Sequence, residues 1–187
     1  AVRIFTIVAG VNGVGKSSLM GFLKGERYDL GIIVDVYAIS AKCGGNIKGG
    51  KKAIQIINDC LDKKINFTQE TTLSGKRIFG TLEKAKKNGY YIRMYYVALS
   101  SLNESCIRIE NRVRKGGHDI PKEDVTKRFA KRFDDAIKVL PYCDEVHFYD
   151  NENGFIDAGE YKNGEIVIKQ HTEWLDQLKN EFSDKQV

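Results

Sequence analysis

Residues Gly10-Val11-Asn12-Gly13-Val14-Gly15-Lys16-Ser17-Ser18, which follow an apolar run, match the spacing GxxxxGK[ST]. That spacing has a chemical purpose. The glycines let successive backbone N–H groups turn inward around a phosphate without Cβ clashes. A helix opening at Ser17 adds the positive end of its dipole. Lys16 is set to reach the β- and γ-phosphates, and the Ser17 hydroxyl to coordinate Mg²⁺. A glycine turn that bound nothing would have no use for the Lys-Ser pair at its end. The loop therefore implies the phosphates of a nucleotide, with Mg²⁺.

Three carboxylates close apolar, strand-like runs: Asp35 in GIIVDVY, Glu70 in NFTQETT and Asp150 in HFYDNEN. In doubly wound sheets, ligands lie beyond the carboxyl ends of the strands. A charged strand end can also be a solvated cap and nothing more. Asp35 and Glu70 stand out because the strand order usual for P-loop kinases sets both their strands on the β- and γ-phosphate side of the loop strand. Phosphoryl transfer needs positioning, Mg²⁺ and a carboxylate to take the acceptor hydroxyl's proton. Asp35 is assigned as that base. Glu70 would hold a Mg²⁺-bound water or the acceptor, with Thr72 beside it.

The segment RIENRVRKGGHDIPKEDVTKRFAKRF carries Arg108, Arg112, Arg114, Arg128 and Arg132 around a glycine break. A charge run is usually a solvated helix face. Here Val125, Phe129, Phe133, Ala136 and Leu140 form one apolar stripe at helical spacing, with Arg132 at its edge and Arg128 one step further out. Arginines at a core boundary are held in place, and near a nucleotide they neutralise charge on the transferring phosphoryl group. Gly116-Gly117 offers a hinge for a lid. His118 reads as a structural hydrogen-bonder.

Alternating elements must position these groups. Arg3–Ala9, Gly31–Asp35, Phe67–Glu70, Tyr91–Leu99 and Glu145–Tyr149 read as buried strands, several of them apolar on both faces, as in a parallel sheet covered by helices. Between them lie helical patterns at Ser17–Lys24, Lys51–Lys64, Lys76–Asn88 and Leu102–Leu140, the last broken at GGHDIP, where Pro121 starts a new helix. The expected fold is α/β: a three-layer P-loop kinase fold with a doubly wound, mainly parallel five-stranded sheet. A C-terminal hairpin turning at Asn163-Gly164 and a helix bearing Trp174, Leu175, Leu178 and Phe182 would form an appendage, 152–187, to the core 1–151 of one domain.

Composition narrows the function. The 187 residues are 42% hydrophobic and 29% charged, a globular balance, and no apolar run is long enough to cross a bilayer. The N-terminal AVRIFTIVAG reads as a buried strand. Cys43, Cys60, Cys106 and Cys143 are widely spaced, which supports neither a zinc site nor a disulfide framework and suggests thiols in a cytoplasmic protein. The net charge of +5 suits an anionic small-molecule acceptor. Nucleic acid is a poor candidate partner, since no basic run is interleaved with aromatics. No Asn-Lys-x-Asp for guanine follows the loop, and the chain is short for a transporter ATPase; small kinases fit the length.

With these motifs in view, the chain resembles the single-domain members of the zeta-toxin family, often labelled predicted ABC-type ATPases. The likeness runs from about Ile4 to Asn151 and rests on AGVNGVGKSSL, QETTLSG, GYYIRMYYVALSS, RVRKGGHDIPKEDVTKRF and YDN. It implies ATP-dependent phosphorylation of a nucleotide sugar, UDP-N-acetylglucosamine in the toxins themselves, and a possible antitoxin partner. By motif position Lys16 would be the phosphate-loop lysine, Asp35 the base, and Glu70 and Thr72 the substrate-contacting pair. Arg112 or Arg114, with Arg128, would hold ATP's phosphates, and Asn151 would lie near the adenine. The family usually has Asn-Ala-Asp where this chain has Ile33-Val34-Asp35. Two other readings of the chain are a non-catalytic ATP-binding interaction protein, as half of a toxin–antitoxin pair, and a nucleoside or nucleic-acid kinase.

Overall fold

Side-chain alternation along two central strands sets the architecture, since successive strand residues point to opposite faces. In β1 (Ile4–Ala9) and β4 (Tyr91–Ala98), Phe5, Ile7, Ala9, Ile92, Met94, Tyr96 and Ala98 enter the larger apolar core, while Val8, Tyr95 and Val97 enter a second core on the other face. Both faces must therefore be covered. Leu19, Met20 and Leu23 of α1 (Lys16–Glu26) cover the second core. The larger core is closed by α3 (Asn46–Lys63), α4 (Arg77–Lys87), α6 (Lys122–Val139) and α7 (Glu173–Asp184). The computed structural model describes all 187 residues.

The remaining elements are β2 (Ile32–Val34), α2 (Val36–Cys43), β3 (Phe67–Thr71), α5 (Leu102–Arg114), β5 (Glu145–Asp150), β6 (Ile156–Lys162) and β7 (Glu165–Ile168). The strand order is β2-β3-β1-β4-β5-β6-β7. The first five strands in that order are parallel, and β6 and β7 run antiparallel. This is the expected α/β P-loop kinase-like fold. β1, flanked by β3 and β4, is the switch point where a ligand crevice opens.

Two local features differ from the sequence reading. The C-terminal hairpin is no appendage: β6 pairs with β5, with Val146 opposite Tyr161, and extends the same sheet to seven strands. Its two-residue turn has φ of 53° at Asn163 and 80° at Gly164, the doubly positive geometry that matches strand twist. Secondly, β2 stops at Val34 and α2 begins at Val36. Asp35 is the N-cap between them, its Oδ1 accepting the N–H groups of Tyr37 at 3.0 Å and Ala38 at 3.3 Å. An eight-residue helix with mixed apolar and polar faces leaves little periodic signal in a sequence.

A partly buried ion cluster fixes the end of the sheet away from the crevice. The Arg93 guanidinium, 2% exposed, pairs bidentately with Asp29 at 3.0 and 3.1 Å and donates to Thr6 Oγ1 at 2.8 Å. Arg27 forks onto the same carboxylate. These hydrogen bonds, first from Arg27 and then from Arg93, hold the Asp29 carboxyl well below the usual carboxylate range. Removing Asp29 leaves Arg93 charged and buried, so Asp29→Ala should lower the unfolding free energy by about 3 kcal/mol, read by urea denaturation at neutral pH. Because the folded value is depressed, this stabilisation is complete above the unfolded carboxyl value of about 4 and is lost as pH falls through the folded one. The gap between wild type and variant should therefore narrow in strong acid; a constant gap would show that the pair contributes no charge-dependent stability.

Candidate active site

The crevice begins with the loop between β1 and α1. None of the backbone N–H groups from Gly13 to Ser18 donates to a protein acceptor, so six donors at a helix N-terminus are left without a protein partner. The crest of the loop is pressed against α5. At Gly13, with φ of 83°, an added Cβ would lie 2.5 Å from the Ser105 carbonyl oxygen. No side chain fits there. The donors therefore frame a cradle for an anion, braced from outside.

The braces are specific. Asn151 Nδ2 donates to the Val14 carbonyl at 2.9 Å. Arg128, from α6, donates to Asn12 Oδ1 at 2.9 Å, and the other end of that amide donates to Tyr37 Oη at 3.4 Å. Asn12 is almost fully buried, so one amide joins the loop, α6 and α2. Lys16 Nζ donates to the carbonyls of Gly10 at 2.7 Å and Val11 at 3.0 Å.

Two lobes open over this loop. One, about 460 Å³, is walled by the loop, Arg108, Arg112, His118 and Asn151. The other, about 320 Å³, is walled by Ser40, Asn46, Gln69, Thr72 and Arg128. Lys16, Asp35, Tyr37 and Glu70 wall both, so the lobes meet at these four side chains. Glu70 lies on β3, directly beside the loop strand, whereas Asp35 lies one strand further out and reaches the cleft by its place at the mouth of α2.

Burial shapes the charges here. It lowers Lys16 from 10.5 to about 8, against the pull of Glu70, with Arg112 and Arg128 lowering it further. Burial also pushes the Glu70 carboxyl up, and Lys16 opposes that.

The sequence candidates separate clearly. Asn12, Gly13, Gly15, Lys16, Ser17, Ser18, Asp35, Glu70, Arg112 and Asn151 wall the first lobe. Thr72, its hydroxyl 2.6 Å from Ser74 Oγ, and Arg128 wall the second. Gly10, Val11 and Val14 form the loop's floor, the two valines being buried. Arg114 walls neither lobe, whereas Arg112 does and donates to the His118 carbonyl at 2.9 Å. Arg132 turns away from the cleft, its guanidinium 3.6 Å from the Phe129 ring centroid and 4.1 Å from that of Phe133. Asp150 is a structural group, accepting the Trp174 indole N–H at 2.8 Å.

Several cleft residues were not assigned from sequence, Arg108, Tyr37 and His118 among them. Arg108 is held by Glu104 and by the carbonyls of Asn151 and Glu152; its i,i+4 spacing from Glu104 was a usable signal. Tyr37 and His118 approach each other across the cleft, ring centroids 5.0 Å apart. They are 81 residues apart in sequence, and no local pattern joins them.

The lowered Lys16 value has two consequences with worked signs. Between pH 8 and 10.5 the unfolded chain holds a proton that the folded chain has released, so stability rises with pH across that window. Anion binding needs the charged form. Affinity for ATP, measured by calorimetry, should therefore fall above about pH 8, approaching tenfold per pH unit, and Lys16→Met should abolish that slope. Affinity constant to pH 9.5 would mean that Lys16 does not meet the phosphates.

Comparison with known proteins bears on the fold and the family. A protein of Haemophilus influenzae (strain Rd), named only as uncharacterized, is 32% identical over 126 residues, covering 64% of this chain and 88% of the relative. The solved structure of the PezAT chromosomal toxin–antitoxin system of Streptococcus pneumoniae matches with a TM-score of 0.66 at 13% identity, over 99% of this chain and 86% of that one. The AvrRxo1-ORF1:-ORF2 complex with ATP matches with a TM-score of 0.70 at 13% identity, over all of this chain but only 65% of that chain's length. At such identities both structures speak for the fold alone. The Zeta toxin family model matches residues 49–158, from within α3 to within β6, well over half of the chain. The chain belongs to the Zeta toxin family.

Proposed function

We propose that the chain is an ATP- and Mg²⁺-dependent phosphotransferase for an anionic small-molecule acceptor, with a nucleotide sugar such as UDP-N-acetylglucosamine first in line. One observation carries the reading: a lysine and two carboxylates stand where a phosphate-loop lobe opens into a second, polar lobe. That is the arrangement a phosphoryl group needs to pass from one bound molecule to another.

The larger lobe takes ATP. The loop N–H groups and Lys16 hold its phosphates, and Arg112 and Arg108 stand on the lid side of the same lobe. The donor set also fits Mg²⁺. No three acidic, histidine or cysteine side chains converge on a protein cage, and this cation is usually held by one or two protein oxygens together with phosphates and water. The Ser17 hydroxyl is the protein ligand. A Mg²⁺ held there would neutralise charge on the phosphate oxygens.

The smaller lobe takes the acceptor. Glu70 and Thr72 orient its hydroxyls, and Arg128 answers its negative charge. Asp35 is the base. Both capping N–H groups bond its Oδ1, so Oδ2 is left to accept the hydroxyl proton. Membership in the zeta-toxin family favours a nucleotide sugar, and the likeness to a toxin–antitoxin system favours an antitoxin as protein partner. No helix is long and apolar enough to cross a membrane.

The test is incubation with γ-labelled ATP, Mg²⁺ and a panel of UDP-sugars, nucleosides and oligonucleotides. Label should move to a UDP-sugar, and Asp35→Asn should slow transfer by about a hundredfold or more while ATP affinity stays within about twofold. Label confined to nucleosides or oligonucleotides would overturn the acceptor class. Wild-type transfer by Asp35→Asn would overturn the base assignment, and no binding heat with ATP would overturn the whole reading.

A further inference from the structure

Four side chains wall both lobes of the cleft, and three of them are the charged groups of the proposed transfer. The fourth is Tyr37, the only one of the four with a hydroxyl to phosphorylate. From this geometry we infer that Tyr37 is a self-phosphorylation site, filled by the chain's own ATP when no acceptor occupies the second lobe. The inference rests on the proposed function and deepens it.

The phenol stands at the loop that would hold the triphosphate. Tyr37 Oη has one protein partner, Asn12 Nδ2 of the loop, across a long 3.4 Å contact. Such a contact positions the oxygen without tying it down. The residue is 40% exposed, so the ring has room to move within the cleft. Arg128 is fastened to the other end of the same Asn12 amide and walls the second lobe together with Tyr37. Asp35 lies two residues before the tyrosine and caps the same helix, its Oδ1 accepting Tyr37's backbone N–H at 3.0 Å while Oδ2 has no protein partner.

The step balances with ATP as the only co-reactant. Tyr37 Oη attacks the γ-phosphorus, and a new P–O bond forms to the ring oxygen. The bond from that phosphorus to the β–γ bridging oxygen breaks, and ADP leaves with its electron pair. The phenolic proton passes to Asp35 Oδ2. A sugar hydroxyl in the smaller lobe would make the same attack, so a bound acceptor and Tyr37 compete for one phosphoryl group.

The test uses the full chain with Mg²⁺ and ATP and no acceptor. Intact mass should rise by one phosphoryl group, peptide mapping should assign it to Tyr37, and the rate constant should be unchanged on dilution, as an intramolecular step requires. Tyr37→Phe should lose the added mass. So should Asp35→Asn, which keeps the phenol and so guards against misfolding of the first variant; both are checked for native circular dichroism. A saturating UDP-sugar that is itself phosphorylated should slow the modification of wild type. An unmodified wild type that still phosphorylates a UDP-sugar would overturn this inference and leave the proposed function standing. Phosphate on another residue, or a rate that rises with protein concentration, would overturn it as well. A chain that neither gains mass nor gives heat with ATP would instead bring down the reading beneath it.

Discussion

The molecule depends on a constraint at one turn: six consecutive backbone N–H groups, from Gly13 to Ser18, find no acceptor in the protein. Unpaired donors at a helix N-terminus are costly unless water or an anion meets them. The loop could escape that cost by relaxing into an ordinary turn. It is prevented from doing so on three sides: Ser105 closes against Gly13, Asn151 holds the Val14 carbonyl, and Asn12 is tied to both α6 and α2. Lys16, buried and lowered to about 8, stands in the same frame with its charge answered by two loop carbonyls and by Glu70. These are features of a site organised ahead of its ligand, in which stability is given up locally for binding.

The rest of the fold holds that frame in register. α1 leaves the loop at one end of the sheet and is anchored at the other, where Arg27 and Arg93 share the Asp29 carboxylate and Arg93 reaches Thr6 of β1. Asp150 takes the Trp174 indole and the Glu152 N–H, so the last strand of the parallel set is pinned to the closing helix just before Asn151 reaches back to the loop. The hairpin of β6 and β7 then covers what would otherwise be the open edge of β5. Each buried polar cluster lies at one end of a strand or helix that carries a cleft residue at its other end or alongside.

The cleft itself is joined across long sequence distances. Asn12 meets Arg128 over 116 residues, and Asn151 meets Val14 over 137. His118, at the turn between α5 and α6, closes on Tyr37 of α2 while its carbonyl receives Arg112. A lid helix, a cap helix and the phosphate loop are thus one connected polar system. A molecule in either lobe meets four side chains that also wall the other, a physical basis for coupling donor and acceptor occupancy.

Much of this was legible in the residues. The glycine spacing with Lys16 and Ser17 defines the loop because only that local geometry uses those residue types together. Short apolar, β-branched runs marked the parallel strands, Pro121 marked the start of α6, and Asn163-Gly164 marked a hairpin, each being a property of a few consecutive residues. Asp35, Glu70, Thr72 and Arg128 could be singled out as candidates because strand ends and stripe edges are visible in one dimension. What the chain could not show locally, only the tertiary structure decided: that Arg112 rather than Arg114 faces the cleft, that Arg132 lies on two phenylalanines away from it, and that Asp35 caps a helix nobody could read from VYAISAKC. The same holds for the hairpin's membership in the main sheet and for Tyr37 meeting His118. The physical reason is common to all of them. A rotation of one helix position, or a pairing between distant segments, is set by packing against partners that the local sequence does not contain.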